Sequence, residues 1–361
     1  MAVDKQQSFA YLRLWDEVQA SNDFPLSVMI SLTKRCCLSC PHCYLANKGR
    51  SVQELTYEEI LLLLDELADC GVLNLSITGG EPGLRDDLFA VIKAASERHF
   101  YISLKTSAYP FESTDIDTLW DSGLHKLFVS IYHTDLERHD GFVHRSGAWE
   151  RATGALRRFA KRGGSCFACC PVMNWNAPII SDLLDLCERE GWNPLVDPKI
   201  THRDDGSCEP CSFIASEKAL SSVFIDERIT TPAPCVHDST TSICGAAISF
   251  AYIESDGLVK VCSSIPWSLG SLREKTFSEI WRNSPDRKRI LTIRWADAQK
   301  CRNCPYETYC SRCPGESILE HGDPNIPASI DCYVAKARYQ HAKKGIEKKV
   351  EDSIKARFPA E

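Results

Sequence analysis

The sequence predicts an α/β protein that contains a partial (β/α)6 barrel and a second domain rich in cysteine. Over residues 26–205, β-like runs alternate with helical patterns, which is typical of parallel strands joined by helices. The chain also has 19 cysteines among 361 residues, many of them closely spaced. Near residue 205 the alternation gives way to turn-rich sequence. We therefore predict an N-terminal extension over 1–25, a barrel domain over 26–205 and a cysteine-rich domain over 206–361.

The barrel prediction depends on six β-like segments and five helical ones. The β-like segments are 26–33, 72–78, 101–104, 127–132, 166–173 and 195–200. The helical segments are 56–70, 86–98, 115–122, 148–162 and 178–190. Outside the barrel, helices are expected over 11–19, 216–224 and 332–357, and short strands over 248–253 and 258–262. In such a barrel, the chemistry is expected on the loops that follow the carboxyl ends of the strands.

The composition limits the class of protein and its partners. Hydrophobic residues at 43% and charged residues at 25% are close to the averages for globular proteins, and no apolar run approaches ~20 residues. The net charge of −7 gives no reason to expect nucleic acid or an anionic membrane as a partner. The N-terminus has no secretory signal, so we expect a cytoplasmic protein. In a reducing cytosol, grouped cysteines point to metal binding or catalysis rather than to disulfides.

Three cysteines follow the first predicted strand at a C-x3-C-x2-C spacing: Cys36, Cys40 and Cys43. Three thiolates on one short loop can hold three irons of a [4Fe–4S] cluster and leave the fourth iron open to a substrate. A zinc site, or a group of buried free cysteines, is the alternative.

A second motif, Gly79-Gly80-Glu81-Pro82, ends the second predicted strand. The two glycines allow the backbone to approach a ligand closely, and the Glu81 carboxylate can accept hydrogen bonds from an ammonium group. Taken alone, this run is also compatible with a turn that carries a solvated glutamate.

Together the two motifs resemble the radical S-adenosylmethionine (SAM) superfamily, over roughly residues 26–200. The resemblance implies a TIM-like partial barrel in which Cys36, Cys40 and Cys43 bind a [4Fe–4S] cluster. Its open iron would chelate the amino and carboxylate groups of SAM. Electron transfer from the reduced cluster would then break a C–S bond of SAM and produce a carbon radical. The implied electron donor is a reducing protein such as flavodoxin or ferredoxin.

The resemblance also implies contacts with the cofactor, at His42, Gly79, Gly80, Glu81, Lys105, Ser130 and Arg145. The backbone of His42 would meet the adenine, and the glycine-glycine-glutamate run would receive the methionyl ammonium. Ser130 and Arg145 stand where similar enzymes contact the ribose or a carboxylate. Lys105 begins a Lys-Thr-Ser run where many relatives have Thr-Asn-Gly. From the residues alone, Ser130 is equally a strand-end serine, and Arg145 a surface charge.

The C-terminal domain contains seven closely grouped cysteines. They are Cys244, Cys262, Cys301, Cys304, Cys310, Cys313 and Cys332. The loops between them carry few apolar residues, so metal is expected to supply folding free energy.

This pattern resembles the SPASM extension of radical SAM enzymes, which implies one or two auxiliary iron–sulfur clusters. By that likeness, one cluster is held by Cys301, Cys304, Cys310 and Cys332. The other is held by Cys244, Cys262 and Cys313, with Cys235 as a fourth ligand. The Cys310-x2-Cys313 spacing is one residue shorter than is usual for SPASM, and one or two zinc knuckles remain the alternative.

Two substrate hypotheses follow. The run Arg35-Cys36-Cys37-Leu38-Ser39-Cys40 resembles the RCCLKCxxC motif of radical SAM enzymes of arsinothricin biosynthesis. That resemblance implies transfer of the 3-amino-3-carboxypropyl group of SAM to arsenite. Trivalent arsenic is bound by cysteine sulfurs, so Cys37, the Cys169/Cys170 group and the Cys208/Cys211 group are candidate ligands. This is the first hypothesis.

The second hypothesis is a SPASM-type peptide maturase that uses a 5′-deoxyadenosyl radical to crosslink or oxidise a ribosomal peptide. Only about 25 residues precede the first strand, too few for a winged-helix leader-binding domain, so leader recognition would fall to another protein. A non-enzymatic metal-binding scaffold is a third possibility, but it leaves Glu81 beside an open cluster loop without a role.

Overall fold

The computed structural model describes residues 23–46, 52–229, 240, 242–298 and 300–357. The helix predicted over 11–19 and the proposed ligand Cys235 lie outside these ranges.

One mixed sheet of nine strands, in the order β6-β5-β4-β3-β2-β1-β7-β8-β9, organises the described residues. The strands are β1 (Ser27–Ser31), β2 (Asn74–Thr78), β3 (Tyr101–Thr106), β4 (Lys126–Ser130), β5 (Ser165–Pro171), β6 (Asn193–Asp197), β7 (Phe250–Ile253), β8 (Leu258–Lys260) and β9 (Gly270–Ser271). Neighbouring strands from β6 to β7 pair in parallel, whereas β8 and β9 pair antiparallel. The predicted α/β fold with a partial parallel barrel is therefore confirmed.

Helices join the parallel strands and continue through the C-terminal region. They are α1 (Tyr57–Asp69), α2 (Leu88–Glu97), α3 (Ser113–Asp121), α4 (Leu136–Val143), α5 (Ala148–Lys161), α6 (Ile180–Glu190), α7 (Glu217–Phe224), α8 (Phe277–Asn283), α9 (Pro285–Thr292), α10 (Pro314–His321) and α11 (Ser329–Arg357). The five predicted barrel helices are present within a few residues of their expected bounds. The sequence did not predict α4, α8, α9 or α10, because each is too short to show a clear apolar period.

The first barrel helix shows why the sequence folds as predicted. Thr56 accepts a hydrogen bond from the Glu59 backbone N–H, and the Glu59 side chain accepts one from the Thr56 backbone N–H, which forms a capping box. The apolar face of α1 then enters the main core through Ile60, Leu63, Leu64 and Leu67. The capping box and the apolar period therefore both predict the same helix.

Strand β7 belongs to the region predicted as a second domain, yet it pairs in parallel with β1. The pairing runs from Ser27 opposite Phe250 to Ile30 opposite Ile253. The cysteine-rich region therefore extends the barrel sheet directly beside the strand that leads into the Cys36 loop.

Helix α8 closes the same end of the core. Its Trp281 side chain is fully buried and donates a hydrogen bond from Nε1 to the carbonyl oxygen of Asp23 over 3.0 Å. The backbone N–H of Phe277 donates to the Glu66 carboxylate on α1 over 2.6 Å. Within the described ranges, no helix is both long enough and apolar enough to cross a membrane.

Candidate active site

A cavity of about 400 Å³ lies at the carboxyl ends of the barrel strands. Cavities that bind small molecules typically measure ~300–1,000 Å³. Eight of the predicted site residues line it: Cys36, Cys40, His42, Cys43, Gly79, Gly80, Lys105 and Ser130. The structure therefore brings the cysteine loop, the glycine pair and two strand-end positions to one place.

The cysteine loop is held by hydrogen bonds on both of its sides. The backbone N–H of Ser39 donates to the Val143 carbonyl over 3.1 Å, and the N–H of Cys43 donates to the Cys40 carbonyl over 3.3 Å. Leu38 anchors the loop in a small apolar cluster that includes Val143. The three cysteines Cys36, Cys40 and Cys43 are half-buried and reach the same cavity. This arrangement fits a cluster that is held by three thiolates and open on one side.

The two glycines lie against the start of the cysteine loop. A Cβ atom on Gly79, whose φ is 153°, would lie 2.5 Å from the Thr33 carbonyl oxygen. A Cβ atom on Gly80 would lie 2.3 Å from the Arg35 carbonyl oxygen. The Gly80 N–H donates to Thr33 over 2.7 Å, and the Glu81 N–H donates to Arg35 over 2.8 Å. Glycine is needed because these hydrogen bonds leave no room for a side chain.

We expect Gly80→Ala to lower the midpoint of thermal unfolding. Overpacking of this kind typically costs about 1–3 kcal/mol, and here the clashing atom is backbone that cannot rotate away. Gly154→Ala is the matched control, because nothing lies within 4 Å of a Cβ built at this position in α5. That substitution should leave stability unchanged or raise it by about 0.5–1 kcal/mol. Equal midpoints for the two variants in differential scanning fluorimetry would contradict the close contact at Gly80.

Glu81 has a different setting from the one that the sequence suggested. Its side chain is fully buried, and Glu81 is not among the described residues that line the cavity. Oε1 accepts hydrogen bonds from Thr106 Oγ1 at 2.5 Å and from the Gly83 N–H at 3.1 Å. Oε2 accepts from the Ser107 N–H at 2.8 Å and from the Ser107 hydroxyl.

These contacts give Glu81 a positioning role, since Thr106 and Ser107 both line the cavity. Burial raises the pKa of the Glu81 carboxyl, and the hydrogen bonds from Ser107, Thr106 and Gly83 oppose that shift. Direct contact between Glu81 and the methionyl ammonium stays a prediction.

Arg145 also differs from its expected setting. It is exposed, its Nε donates to the Cys37 carbonyl oxygen over 3.3 Å, and its guanidinium lies 5.2 Å from the centroid of the Tyr109 ring. Arg145 is not among the described residues that line the cavity. In this structure Arg145 therefore supports the cysteine loop from its outer side.

The thiols proposed for arsenic are not brought together at the cavity. Cys208 and Cys211 lie at a short 3₁₀ turn that starts at Glu209, with Cys208 exposed. Among the described residues, neither they nor Cys37 line the cavity. Cys169 is the one proposed arsenic ligand among the described residues that line the cavity, so the geometry does not support Cys37, Cys208 and Cys211 as ligands there.

Strand β5 places its cysteines on two faces. Cys166 and Cys170 are buried in the main core, whereas Cys169 lines the cavity. Burial raises the pKa of Cys169 to about 12, and the nearby Lys105 opposes this shift. Cys70 and Cys187 are also buried in the main core.

Several cavity residues were missed in the sequence. They include Tyr44, Tyr132, Lys199, Thr201 and Ser263. The Tyr132 ring packs edge-on against His42, with centroids 4.8 Å apart. Tyr132 follows Ser130 by two residues and Ser263 follows Cys262 directly, so proximity to predicted site residues was the available signal. No nearby motif in the sequence identifies Thr201 as a residue of the site.

A second cavity lies in the C-terminal region and is lined by the cysteines Cys301, Cys304, Cys310 and Cys332. Burial raises the pKa of the Cys332 thiol, and the neighbouring Cys301 and Cys304 thiols raise it further. The four residues that the resemblance assigned to one cluster therefore share a single cavity.

The other three cysteines form a separate group. Burial raises the pKa of Cys262 to about 12, and the nearby Cys313 and Cys244 thiols add to this shift. Within the described side chains, no three His, Cys, Asp or Glu residues are grouped so that they could hold a single metal ion. The assignment of the two groups to two clusters, including the part given to Cys235, stays a prediction.

A buried ion pair links the first cavity to both cysteine groups. Lys199 lines the active-site cavity, and its Nζ lies 2.5 Å from Asp331 Oδ1. Asp331 Oδ2 accepts a hydrogen bond from the Cys313 N–H over 2.6 Å, and Asp331 directly precedes Cys332 in α11. Asp331 is 2% exposed. The Asp331 carboxylate therefore connects the segment that follows β6 to a member of each auxiliary group.

Comparisons with known proteins agree with this geometry. Residues 30–187 match the model of the radical SAM superfamily, and residues 244–314 match the model of SPASM, an iron–sulfur cluster-binding domain. The AdoMet-dependent heme synthase of Methanosarcina barkeri is 24% identical over 336 residues, which cover 84% of this chain and 95% of that protein. The PqqA peptide cyclase of Granulibacter bethesdensis is 24% identical over 301 residues, covering 78% of this chain and 79% of that protein.

A solved structure shares the fold. SuiB of Streptococcus suis bound to its precursor peptide SuiA superposes with a TM-score of 0.64 at 18% identity, covering 92% of this chain and 82% of that chain. The three-cysteine loop, the glycine pair and the auxiliary cysteines from Cys244 to Cys313 lie within the matched regions, and Cys332 follows the second one. The chain carries a radical SAM domain over residues 30–187 and a SPASM iron–sulfur cluster-binding domain over residues 244–314, and the cofactors of these domains are a [4Fe–4S] cluster, SAM and auxiliary iron–sulfur clusters.

Proposed function

We propose that the protein modifies a peptide by hydrogen-atom abstraction followed by oxidation of the substrate. The observation that carries this proposal is the position of Ser263, which lines the active-site cavity and directly follows Cys262 of an auxiliary group. An electron acceptor held by this group would lie one residue along the chain from the wall of the active-site cavity. A site of this kind suits a net oxidation, such as a crosslink, more than it suits group transfer.

The relatives suggest two substrate classes, a heme precursor from the relative named heme synthase and a peptide from the relative named peptide cyclase. The cavity of about 400 Å³ has to accommodate the SAM cluster and SAM as well as the reacting part of the substrate. We prefer a peptide, which can present one side chain to this site while the rest of its chain stays outside. The relatives named PqqA peptide cyclase and SuiB support the same preference.

The residues of this chain divide the work. The cluster and SAM supply a 5′-deoxyadenosyl radical, which removes a hydrogen atom from the substrate. Cys36, Cys40 and Cys43 hold the cluster, and Glu81 orients Thr106 and Ser107 at the cavity wall. We propose flavodoxin or ferredoxin as the source of the electron that starts each cycle.

Arsenite transfer is the less favoured proposal, because the described structure leaves Cys37, Cys208 and Cys211 outside the cavity lining. The two chemistries release different fragments of SAM. Hydrogen abstraction yields 5′-deoxyadenosine, whereas aminocarboxypropyl transfer yields 5′-methylthioadenosine.

We expect the anaerobically reconstituted enzyme, reduced with dithionite in the presence of SAM, to release 5′-deoxyadenosine. With a mixture of synthetic 12-residue peptides deuterated at their side-chain carbons, deuterium should enter 5′-deoxyadenosine, and the modified peptide should lose two hydrogens. Both products can be measured by liquid chromatography and mass spectrometry.

Parallel reactions with arsenite and with an iron porphyrin carrying propionate groups test the alternatives. Release of 5′-methylthioadenosine together with an arsenic-containing amino acid would replace the peptide proposal. Modification of the porphyrin without any effect on the peptides would also overturn it.

A further inference from the structure

We propose that Arg312 is a positioning residue that donates hydrogen bonds to sulfur atoms of the auxiliary cluster in the second cavity, and that it raises the reduction potential of that cluster. Arg312 stands between Cys310, assigned to this cluster, and Cys313, assigned to the other. The proposal goes beyond the peptide reaction and does not depend on the identity of the substrate.

The environment of Arg312 is the first argument. The residue is 8% exposed and lines the cavity formed by Cys301, Cys304, Cys310 and Cys332. One terminal nitrogen, Nη2, donates to the Pro324 carbonyl oxygen over 2.6 Å. The other two nitrogens, Nε and Nη1, are buried and have no hydrogen-bond acceptor among the described residues.

A buried guanidinium with free N–H groups requires a partner, because its charged donors have lost their water. The described structure provides no carboxylate within ion-pair distance of Arg312. Two carboxylates, Glu307 and Asp331, line the same cavity without forming an ion pair with Arg312, and Asp331 is already engaged by Lys199 and by the Cys313 N–H. The missing partner is therefore anionic, and it occupies the cavity between the four thiols.

The cysteines point to the nature of that partner. Arg312 lines the same cavity as the Cys301, Cys304, Cys310 and Cys332 side chains, which the SPASM resemblance assigns to one cluster. An iron–sulfur cluster ligated by four thiolates carries net negative charge and presents sulfur acceptors. It satisfies both the charge and the donors of Arg312.

The consequence is a change in redox behaviour. Hydrogen bonds to cluster sulfur and nearby positive charge favour the reduced state, which is more negative, so they raise the reduction potential. An auxiliary cluster with a raised potential is a better acceptor for an electron that leaves the substrate side of the molecule.

The test compares Arg312→Gln and Arg312→Lys with Arg302→Gln in the otherwise intact, reconstituted protein. Arg302 is a matched control because it occupies the two-residue link between Cys301 and Cys304 but is exposed. Redox titration monitored by electron paramagnetic resonance gives the potential of each cluster, and iron analysis reports whether the clusters are complete.

We expect Arg312→Gln to shift the potential of one auxiliary cluster to a more negative value, with unchanged iron content. A tenfold loss in the equilibrium constant for reduction corresponds to about 59 mV for a one-electron couple. Arg312→Lys should give a smaller shift, since it keeps the charge but lacks the planar set of donors. Arg302→Gln should titrate like the wild type. Unchanged potentials in both Arg312 variants, with full iron, would overturn the proposal.

A second measurement does not require the Arg312 variants to be stable. In wild-type protein labelled with ¹⁵N in its arginine guanidinium groups, hyperfine spectroscopy of the reduced auxiliary clusters should show coupling to ¹⁵N. The signal of the SAM cluster can be removed with the Cys36, Cys40 and Cys43 triple variant. Absence of ¹⁵N coupling on every auxiliary cluster would refute contact between Arg312 and cluster sulfur, whatever the fate of the Arg312 variants.

Discussion

Replacement of Cys36, Cys40 and Cys43 together by alanine should abolish cleavage of SAM and leave the auxiliary iron in place. The three thiols reach one cavity beside Gly79 and Gly80, and their loss removes every protein ligand that the proposal gives to the SAM cluster. Four of the auxiliary cysteines line a separate cavity, and none of the seven is among the described residues that line the active-site cavity, so their clusters should assemble normally. After anaerobic reconstitution, iron and sulfide analysis should show the loss of one cluster, and chromatography should detect neither 5′-deoxyadenosine nor 5′-methylthioadenosine.

The matched control replaces Cys70, Cys166 and Cys187 by alanine. These residues are buried in the main core and lie outside the described lining of either cavity. The control protein should keep the wild-type iron content and cleave SAM, with some loss of thermal stability because small cavities remain in the core. SAM cleavage by the first triple variant would refute the assignment of the SAM cluster.

The second large effect is expected for Glu81→Gln, which should weaken SAM binding while the cluster stays intact. A glutamine side chain has one acceptor oxygen, so its amide nitrogen would face two of the four donors that now reach the carboxylate. A hydrogen bond to a charged group contributes about 1.5–3 kcal/mol, which corresponds to roughly a ten- to hundredfold change in affinity. Thr106 and Ser107 would shift at the cavity wall as a result.

Anaerobic equilibrium dialysis with radiolabelled SAM measures this affinity directly. Glu112→Gln is the control, since Glu112 is exposed and pairs with Arg151 on the surface. It should bind SAM as tightly as the wild type. If both variants bound SAM equally well, Glu81 would have neither a binding nor a positioning role.

The barrel was predictable because its determinants are local in the sequence. Thr56 and Glu59 cap α1, and the apolar period of the helix continues through Leu67. The alternation of side chains along β5 places Cys169 at the cavity and Cys166 and Cys170 in the core. The C-x3-C-x2-C spacing likewise places three thiols on one short loop, whichever fold surrounds it. Such features depend on residues a few positions apart, so the sequence displays them directly.

The surroundings of the site depend on residues far apart in the chain. Glu81 receives hydrogen bonds from Thr106 and Ser107, which are 25 and 26 positions away, and Lys199 pairs with Asp331 at a separation of 132 residues. No period or short motif encodes such pairs, because each depends on which strand lies next to which. The sequence alone could therefore propose an ammonium-binding role for Glu81 but could not identify its actual hydrogen-bond donors.

The sequence by itself determined the α/β class, the order of the barrel strands and helices, and the spacing of the three-cysteine loop. Tertiary structure alone decided that β7 pairs with β1, that Ser263 reaches the active-site cavity and that Cys208 and Cys211 do not. In the folded protein, Arg312 is buried beside four cysteines, and two of its nitrogens have no hydrogen-bond acceptor among the described residues. The physical reason is that local propensity and spacing act over a few residues, whereas burial, desolvation and the choice of partner arise only when distant segments pack together.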